Sequence, residues 1–439
     1  MVNIRLESYK IILTVLSKSA FSDKLLQQMN QKIRQAGEES QLLYLLVKGV
    51  IKMYRNLDYT ASFHTEKKRW ENTNLKFKIL IYLGLYQLIY ANGIPEHAAV
   101  NETVDLAKKL YGEKIADFVN AVLRSYLRDP EVIYPDDDLA MICEKFSFPE
   151  AIIRAWLQYW GYETTIRLCD YYNRAPKLHF RTNTVATNPE RLHKYFARRD
   201  INLINSTYSP NIFITDQAES VLNDIAFSEG YYSIQDTSAA LVVELMQPEV
   251  HESILDLFAA PGGKAAYAAE MMLNSGEVIA IDKIPNKIKK MKQNLERLKL
   301  TNVKPIATDA FSYVPVAPAY DRVLIDVPCS GWGVFQKKAE LRWQLNQDMN
   351  KLLKLQESAL RLGAAFTREG GYLVYSTCTL NQAENEEQIE KFLARNKAFK
   401  LIPAETVLNK KVTSNGYLKT LPFEHNMDGA FAAKMQKLG

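Results

Sequence analysis

Four cysteines, Cys143, Cys169, Cys329 and Cys378, are all that 439 residues contain, and none lies in a C-x-x-C pair. So few thiols in so long a chain exclude a disulfide scaffold. The six histidines are scattered, so the usual spacing of a structural zinc site is missing and no metal is expected. Long apolar runs are missing too. The longest, Ile79–Ala91, is interrupted by Gln87 and falls short of the roughly 18–20 residues that span a bilayer. The first twenty residues, MVNIRLESYKIILTVLSKSA, have no h-region long enough for a secretory signal. A reducing cytoplasm and no membrane partner are expected. An excess of one charge is also lacking: 55 Lys and Arg against 50 Asp and Glu leave +5, which by itself demands no nucleic-acid partner. A hydrophobic fraction of 47% with 24% charged residues excludes a mainly disordered chain.

At roughly 100–200 residues per domain the length allows two to four domains. Up to about residue 130 apolar residues recur at helical spacing, in LLYLLVKGVIKMY, FKILIYLGLYQLIYA and ADFVNAVLRSYL, and no strand alternation intervenes. DPEVIYPDDD, Asp129–Asp138, holds two prolines and five acids and reads as a linker. From about 140 to 245 the pattern is mixed. FPEAIIRAWLQYWGYETTIRLCDYYN reads as helix, and KLHFRTNTV as a strand leading into a helix at NPERLHKYFARR. Beyond about 250, the β-rich runs SILDLFA, EVIAID, VKPIATD, RVLIDVP and YLVYSTC alternate with helical stretches, the mark of a parallel sheet wound with helices. No repeat and no low-complexity tract is evident.

Ligands of such sheets bind beyond the carboxyl ends of the strands. The first strand is followed by Phe258-Ala259-Ala260-Pro261-Gly262-Gly263-Lys264. A P-loop is disfavoured, because Phe258 stands where a Gly belongs and Ala265 where a Ser or Thr would hold magnesium; the G-x-G-x-x-G fingerprint is absent as well. The second strand ends in Asp282, placed to accept from ribose hydroxyls, and the third in Asp309, which can receive an adenine amino group. The helix after Asp282 buries Ile288, Met291, Leu295 and Leu298. Its other face carries Lys287, Lys289, Lys290, Lys292, Arg297 and Lys299, for which plain solvation is the simplest account. The fourth strand ends in Asp326-Val327-Pro328-Cys329-Ser330-Gly331 and the fifth in Tyr375-Ser376-Thr377-Cys378-Thr379. Two of four cysteines thus fall on the ligand-binding edge. A thiolate there can act as a nucleophile without a metal when a neighbour lowers its pKa or takes its proton. Cys143 and Cys169, in helical stretches, read as core. His97 reads as a structural or ligand-contact residue rather than a base.

At these motifs the chain resembles the RsmB-type (Sun/Fmu) RNA cytosine-5 methyltransferases over almost its whole length. ILDLFAAPGGKAA is similar to the family's cofactor loop, YDRVLIDVPCSGWGVF to its fourth motif and GGYLVYSTCTLNQAENEEQI to its sixth. Gln235-Asp236-Thr237-Ser238 and LPFEHNMDGAFAAKM resemble its flanking segments. RNLDYT, LGLYQLIY, IPEHAAVNETVDLAKK and FVNAVLRSYLR resemble a NusB-like RNA-binding domain. The resemblance implies an α/β fold: a helical NusB-like domain over 1–130, a small α+β connector that contacts RNA over 140–245, and a Rossmann-like class I methyltransferase core over 246–439. In that core a mostly parallel sheet ends in antiparallel strands.

The resemblance also implies a site. S-adenosyl-L-methionine would be held by Phe258, Ala259, Ala260, Pro261, Gly262, Gly263 and Lys264, with Asp282, Lys287, Asp309 and Asp326. Cys378 would add to carbon 6 of a cytosine, Cys329 would assist release, Asp326 would hydrogen-bond the ring edge and Lys264 would supply positive charge. The expected partner is RNA, 16S rRNA or a ribosomal assembly intermediate, bound by a monomer. The same chemistry on tRNA or another RNA, or a non-catalytic NusB-like scaffold, are the alternatives. A DNA methyltransferase is disfavoured, since there the Pro-Cys cysteine is the nucleophile. The chain departs from the family pattern at Phe258, Ala265, Lys287, Trp332 and Ala430. QKKAELRW lacks a usual His-Pro, and it and Trp332 are expected near the substrate. Residues 1–130 carry 19 Lys and Arg against 13 Asp and Glu, so the basic excess falls in the helical region.

Overall fold

Why the first third is helical is clearest at its centre. The computed structural model describes residues 2–18, 20–35, 40–315, 319–344 and 348–439. In it, Leu75–Ile89 is a helix whose start is capped by the Asn74 side chain accepting from Lys76 N. It is buried without a gap from Ile79 to Gln87, and a helix apolar on all sides belongs inside a bundle. Helices Ile4–Lys18, Gln41–Lys52, Tyr54–Phe63, Glu96–Tyr111 and Glu113–Arg128 pack around it. The last of these turns Ala116, Val119, Val122 and Leu123 inward, three and four residues apart as one helical face requires.

This helical unit does not end near residue 130. It runs through Arg174 and takes in Phe335–Leu345, so the compact units part at 174 rather than in the expected linker. The physical reason is that Asp129–Asp138 is pinned. Tyr134 stacks on Tyr59 with ring centroids 5.6 Å apart, Asn56 Nδ2 donates to Tyr134 Oη at 3.0 Å, and Tyr59 Oη donates to Ile133 O at 2.8 Å. The helices Asp138–Phe146 and Glu150–Asn173 then join the bundle, with Arg55 bound to Glu144 at 2.7 Å.

The QKKAELRW segment, expected near the substrate, is also built into this unit. Phe335 is fully buried against Phe148, Trp156 and Tyr172. Glu340 accepts from Ser22 N and Oγ, both at 3.0 Å, and Trp343 Nε1 donates to Ile51 O at 2.7 Å. Arg342 is wholly buried without a carboxylate partner. It donates instead to the carbonyls of Lys52, Ser147 and Tyr172 and to Asn173 Oδ1, while its guanidinium lies 3.8 Å from the Phe148 ring centroid.

The second unit, residues 175–334 and 346–439, holds two sheets. The smaller is antiparallel, in the order β2-β3-β1-β4, from β1 (Leu178–Thr182), β2 (Ile204–Asn205), β3 (Ile212–Thr215) and β4 (Tyr232–Ile234). The larger is built from β5 (Ser253–Leu257), β6 (Glu277–Asp282), β7 (Val303–Ala307), β8 (Tyr320–Asp326), β9 (Thr367–Thr377), β10 (Phe399–Ile402), β11 (Thr413–Ser414), β12 (Tyr417–Lys419) and β13 (Phe431–Lys437). Its order is β11-β12-β13-β9-β8-β5-β6-β7, with β10 paired to β13. Strands β5 to β9 run parallel, and β13 joins β9 antiparallel, the expected mostly parallel sheet with an antiparallel end. Pro305 in β7 is tolerated because β7 closes the sheet, where a missing N–H leaves no partner bereft.

Alternation along the strands covers both faces. Ile254, Val278, Ala280, Leu324 and Val374 meet the helices Thr237–Met246, Gly263–Met271 and Pro285–Leu298. Leu255, Leu257, Ile279, Ile281, Val323, Ile325 and Leu373 meet Met349–Phe366 and Glu386–Arg395. After β5 the chain winds outward through β6 and β7, then crosses back to β8 on the other side. The β5/β8 boundary is therefore the switch point, and the ends of β5, β8 and β9 share one edge.

Candidate active site

Local geometry explains the loop after β5. Gly262 has φ +96°, and a Cβ there would lie 2.5 Å from Met291 Cγ, so only glycine fits between the loop and the helix beneath it. Gly262 N donates to Ala259 O at 2.8 Å, and the helix Gly263–Met271 starts at once. Phe258 also takes a left-handed φ of 65°, a conformation that costs a non-glycine residue about 1–3 kcal/mol and concentrates at functional sites. Its ring meets Phe311 at a centroid distance of 6.1 Å.

Lys264 leaves this loop to donate to Asp326 Oδ2 at 2.7 Å, and Ser376 Oγ donates to Asp326 Oδ1 at 2.7 Å. Residues from the ends of β5, β8 and β9 thus meet in one cluster. Burial works against the Lys264 ammonium, but the Asp326 charge and hydrogen bond outweigh it, with Cys378 and Asp256 adding. The lysine pKa is raised and the side chain stays charged. Cys329 Sγ and Cys378 Sγ lie 3.3 Å apart, both partly exposed. The hydrogen bond to Cys378, reinforced by burial, pushes the Cys329 thiol well above its ordinary range. Cys329 therefore keeps its proton. The other two cysteines are fully buried in the helical unit, and burial pushes the Cys143 thiol up to about 11 and Cys169 higher still.

The cysteines are held in register by a buried frame. Glu384, fully buried, accepts from Ser330 N at 2.9 Å, Ser330 Oγ, Gln356 Nε2 at 3.0 Å and Asn381 Nδ2 at 3.1 Å. It thereby ties the loop bearing Cys329 to the segment after Cys378. Gly333 N donates to Cys378 O at 3.0 Å, and Gly429 N to Gly333 O at 2.9 Å. A Cβ on Gly333 would lie 2.0 Å from Gly429 O and 2.7 Å from Cys378 O, so this backbone crossing needs glycine. Asp236 accepts from Ser238 N at 2.9 Å, capping its helix, and from Asp428 N at 3.1 Å. The two flanking segments read from the sequence are thereby joined to the cysteine loops.

Three residues of the frame were not singled out by sequence. Glu384 lay inside a quoted motif without a role. Arg181, in β1, is wholly buried and forks onto Glu270, Nη2 to Oε1 at 2.6 Å and Nε to Oε2 at 3.1 Å. Arg181 also donates to Gln235 Oε1 and, at 3.4 Å, to the Gly263 carbonyl, so a strand of the small sheet holds the glycine loop. Asp256, in the middle of β5, has both carboxylate oxygens buried without a hydrogen-bond partner. Burial and the charge of Asp326 push its pKa well above the carboxylate range, against the pull of Lys264. For Asp256 the signal was available, since an acid inside the apolar run SILDL stays there only with a purpose.

The remaining expected residues are placed as follows. Asp282 ends β6 nearly buried, and its Oδ1 accepts from Ile284 N at 2.9 Å. Asp309 is exposed after β7 and accepts from Phe311 N at 2.9 Å. Lys287 is exposed in the first turn of Pro285–Leu298. Ala259 is buried, Ala260 and Gly263 half-buried and Pro261 exposed. His97 is exposed in the first turn of Glu96–Tyr111. Arg297 does not belong to the solvated face expected for it: it donates inward to Tyr232 O at 3.0 Å and lies 4.0 Å from the Phe227 ring centroid. Among the described residues no group of three or more His, Cys, Asp or Glu is placed to hold a metal, and no helix is long and apolar enough to cross a membrane.

The chain is similar to known proteins in sequence and fold. Residues 243–436 match the family model described as 16S rRNA methyltransferase RsmB/F, and residues 3–128 match the NusB family. The chain is 32% identical over 446 residues, all of both chains, to the probable ribosomal RNA small subunit methyltransferase B of Synechocystis sp.. It is 32% identical over 437 residues, 96% of this chain and 95% of the other, to the protein of that name from Bacillus subtilis. The crystal structure of PH0851 superposes with a TM-score of 0.82 at 23% identity, over 100% of this chain and 99% of its own. That of a methyltransferase homologue from Pyrococcus horikoshii gives 0.61 at 25% identity, over 69% and 100%. With full-length relatives at this identity and both domain matches in sequence order, the chain belongs to the RsmB/F methyltransferase family and carries a NusB-family domain before its methyltransferase core.

Proposed function

We propose that this protein transfers a methyl group from S-adenosyl-L-methionine to carbon 5 of a cytosine in RNA, with small-subunit ribosomal RNA the substrate. The observation that carries this reading is the 3.3 Å pair of Cys329 and Cys378 beside the Lys264–Asp326 contact, on the sheet edge that also bears the glycine loop. The residues present suit the cofactor. A loop that a Cβ would fill, the nearly buried Asp282 and an orphaned carboxylate at Asp256 line the ends and floor of one edge. Phe258–Lys264 and Asp282, with Lys287, Asp309 and Asp326 around them, would hold the sulfonium donor, which when bound supplies an electrophilic methyl group.

Carbon 5 of cytosine becomes nucleophilic once a thiolate has added to carbon 6. Cys378 Sγ forms that bond, and the carbon 5–carbon 6 double bond shifts its electrons toward carbon 5. Lys264 favours the Cys378 thiolate by its charge and fixes Asp326, whose carboxylate meets the polar edge of the ring and stabilises the charged adduct in a preorganised setting. After methyl transfer a base takes the proton from carbon 5, its bonding pair restores the carbon 5–carbon 6 double bond, and Cys378 leaves carbon 6 as the thiolate. Cys329, held against Cys378, assists this release. The base must leave its stack to reach these groups.

The test is direct. Cys378→Ala is expected to lose methyl transfer to ribosomal RNA transcripts by about 10³-fold or more, and Cys329→Ala to accumulate a covalent protein–RNA adduct on a denaturing gel. Full activity of Cys378→Ala refutes the nucleophile assignment. Bisulfite sequencing of ribosomal and transfer RNA from cells lacking the protein identifies the substrate, and an unchanged ribosomal pattern refutes that choice.

A further inference from the structure

The helix Pro285–Leu298 lies directly after Asp282, and its inner face packs beneath the glycine loop through Met291. Its outer surface is unlike that of any simple solvated helix. Residues 283–299 hold seven Lys and Arg against one Glu, a larger excess than the +5 of the entire chain. Lys283, Lys287, Lys289, Lys290, Lys292 and Lys299 are all exposed. Among the described residues none of the six has an ion-pair partner, while some lysines on other exposed helices are paired, as in Lys194–Glu190 at 2.6 Å and Lys391–Glu387 at 3.2 Å. Lys287 and Lys290, and Lys289 and Lys292, stand three residues apart, where like charges on a helix repel. A surface that pays this repulsion without acids to relieve it is matched to a polyanion.

We infer that the lysine face of Pro285–Leu298, through Lys289, Lys290, Lys292 and Lys299, is a binding surface for the phosphate backbone of the RNA substrate, on the outer side of the helix that supports the cofactor loop. This rests on the reading of RNA as substrate. The side chains are spread along a helix of about 20 Å, a length that follows several successive phosphates. A row of flexible ammonium groups without planar forks or aromatic neighbours contacts backbone rather than bases, so the surface contributes affinity independent of sequence.

The full-length protein and a variant with Lys289, Lys290, Lys292 and Lys299 all changed to Gln are titrated with a ribosomal RNA transcript over a range of salt. Each phosphate contact adds about 0.7 on a single strand and about 0.9 on a duplex to the slope of log affinity against log salt. Loss of four contacts therefore lowers the slope by about 2.8–3.6, and the wild-type advantage shrinks about 50- to 150-fold between about 50 and 200 mM salt. A control variant with the exposed Lys351, Lys354 and Lys391 changed to Gln is expected to bind as wild type, and both variants to keep the wild-type melting temperature and cofactor affinity. Wild-type affinity and slope in the four-lysine variant, or an equal loss in the control, overturn the surface while methyl transfer by the wild type leaves the reading of function standing. A wild-type protein that neither binds nor methylates RNA overturns both.

Discussion

Changing Arg181 to Met tests whether the small sheet truly holds the cofactor loop. Arg181 and Glu270 are both inaccessible, and the guanidinium makes two contacts to the carboxylate and further ones to Gln235 and Gly263. Removing one member of such a pair strands the other, at a cost of about 3–5 kcal/mol. In a unit of this size that is about 6–20 °C in melting temperature. Glu270 supplies a second readout. Burial already raises its pKa against the opposing charge of Arg181, so without the arginine its folded pKa rises further above the unfolded one. The folded state then binds more protons across the interval between the two values, and stability falls as pH rises through it. The deficit of Arg181→Met is therefore smallest at acid pH, where Glu270 is neutral, and largest above the raised value. The assay is thermal and urea denaturation of the second unit from about pH 5 to 8, with Glu270→Met and the double variant completing a cycle. Replacing both charges lets apolar groups fill the space, and the double variant is expected within about 1–2 kcal/mol of wild type. A single variant losing less than about 1 kcal/mol, or a double variant losing the sum of the singles, refutes the reasoning.

Two further outcomes follow from particular contacts. Gly333→Ala drives a methyl group against the Gly429 and Cys378 carbonyls, so single-turnover methyl transfer should fall by about 10²-fold, as for an ångström-scale displacement of a reacting group, with cofactor affinity unchanged; normal turnover would show that the crossing does not position Cys378. Lys52, buried with its ammonium on Arg174 O at 2.9 Å, has its pKa pushed down to about 7, first by burial and then by Arg342. Between that value and its unfolded pKa the unfolded chain binds more protons, so wild-type stability climbs with pH there, and the full penalty is felt below pH 7. Lys52→Met is expected to stabilise the helical unit by roughly 2 kcal/mol at pH 6, with the gain fading by pH 10; a pH-independent difference in urea denaturation refutes it.

Much of the architecture is legible in the sequence because both periods are strong. The run around Leu75–Ile89 is too apolar for anything but a bundle centre, and SILDLFA, EVIAID, RVLIDVP and YLVYSTC end in the same edge residues, Phe258, Asp282, Asp326 and Cys378, that the fold aligns. What the patterns missed is where the chain folds back. DPEVIYPDDD has the composition of a linker, yet two tyrosine rings stack through it, and composition carries no record of a contact with residue 59. QKKAELRW looks solvated and charged, but its Glu340 and Arg342 are buried, where carbonyls, an asparagine and a serine from distant helices bind them.

The same distinction divides the site. Cys329, Cys378, Asp326 and Lys264 could be nominated one strand end at a time, since each follows an apolar run on an edge where ligands bind. Arg181 and Glu270 could not: each is an ordinary charged residue until the small sheet lies on the helix Gly263–Met271, and then neither is tolerable without the other. Arg297 shows the converse, counted with the lysines by helical position but drawn inward by carbonyls of another segment. The six lysines left on that surface have no such partner among the described residues. Local chemistry therefore names the groups that act on a substrate, whereas the groups that aim them are recognisable only as charges whose burial the rest of the chain must satisfy. A charge neither buried nor paired, as on Pro285–Leu298, points instead to something outside the chain.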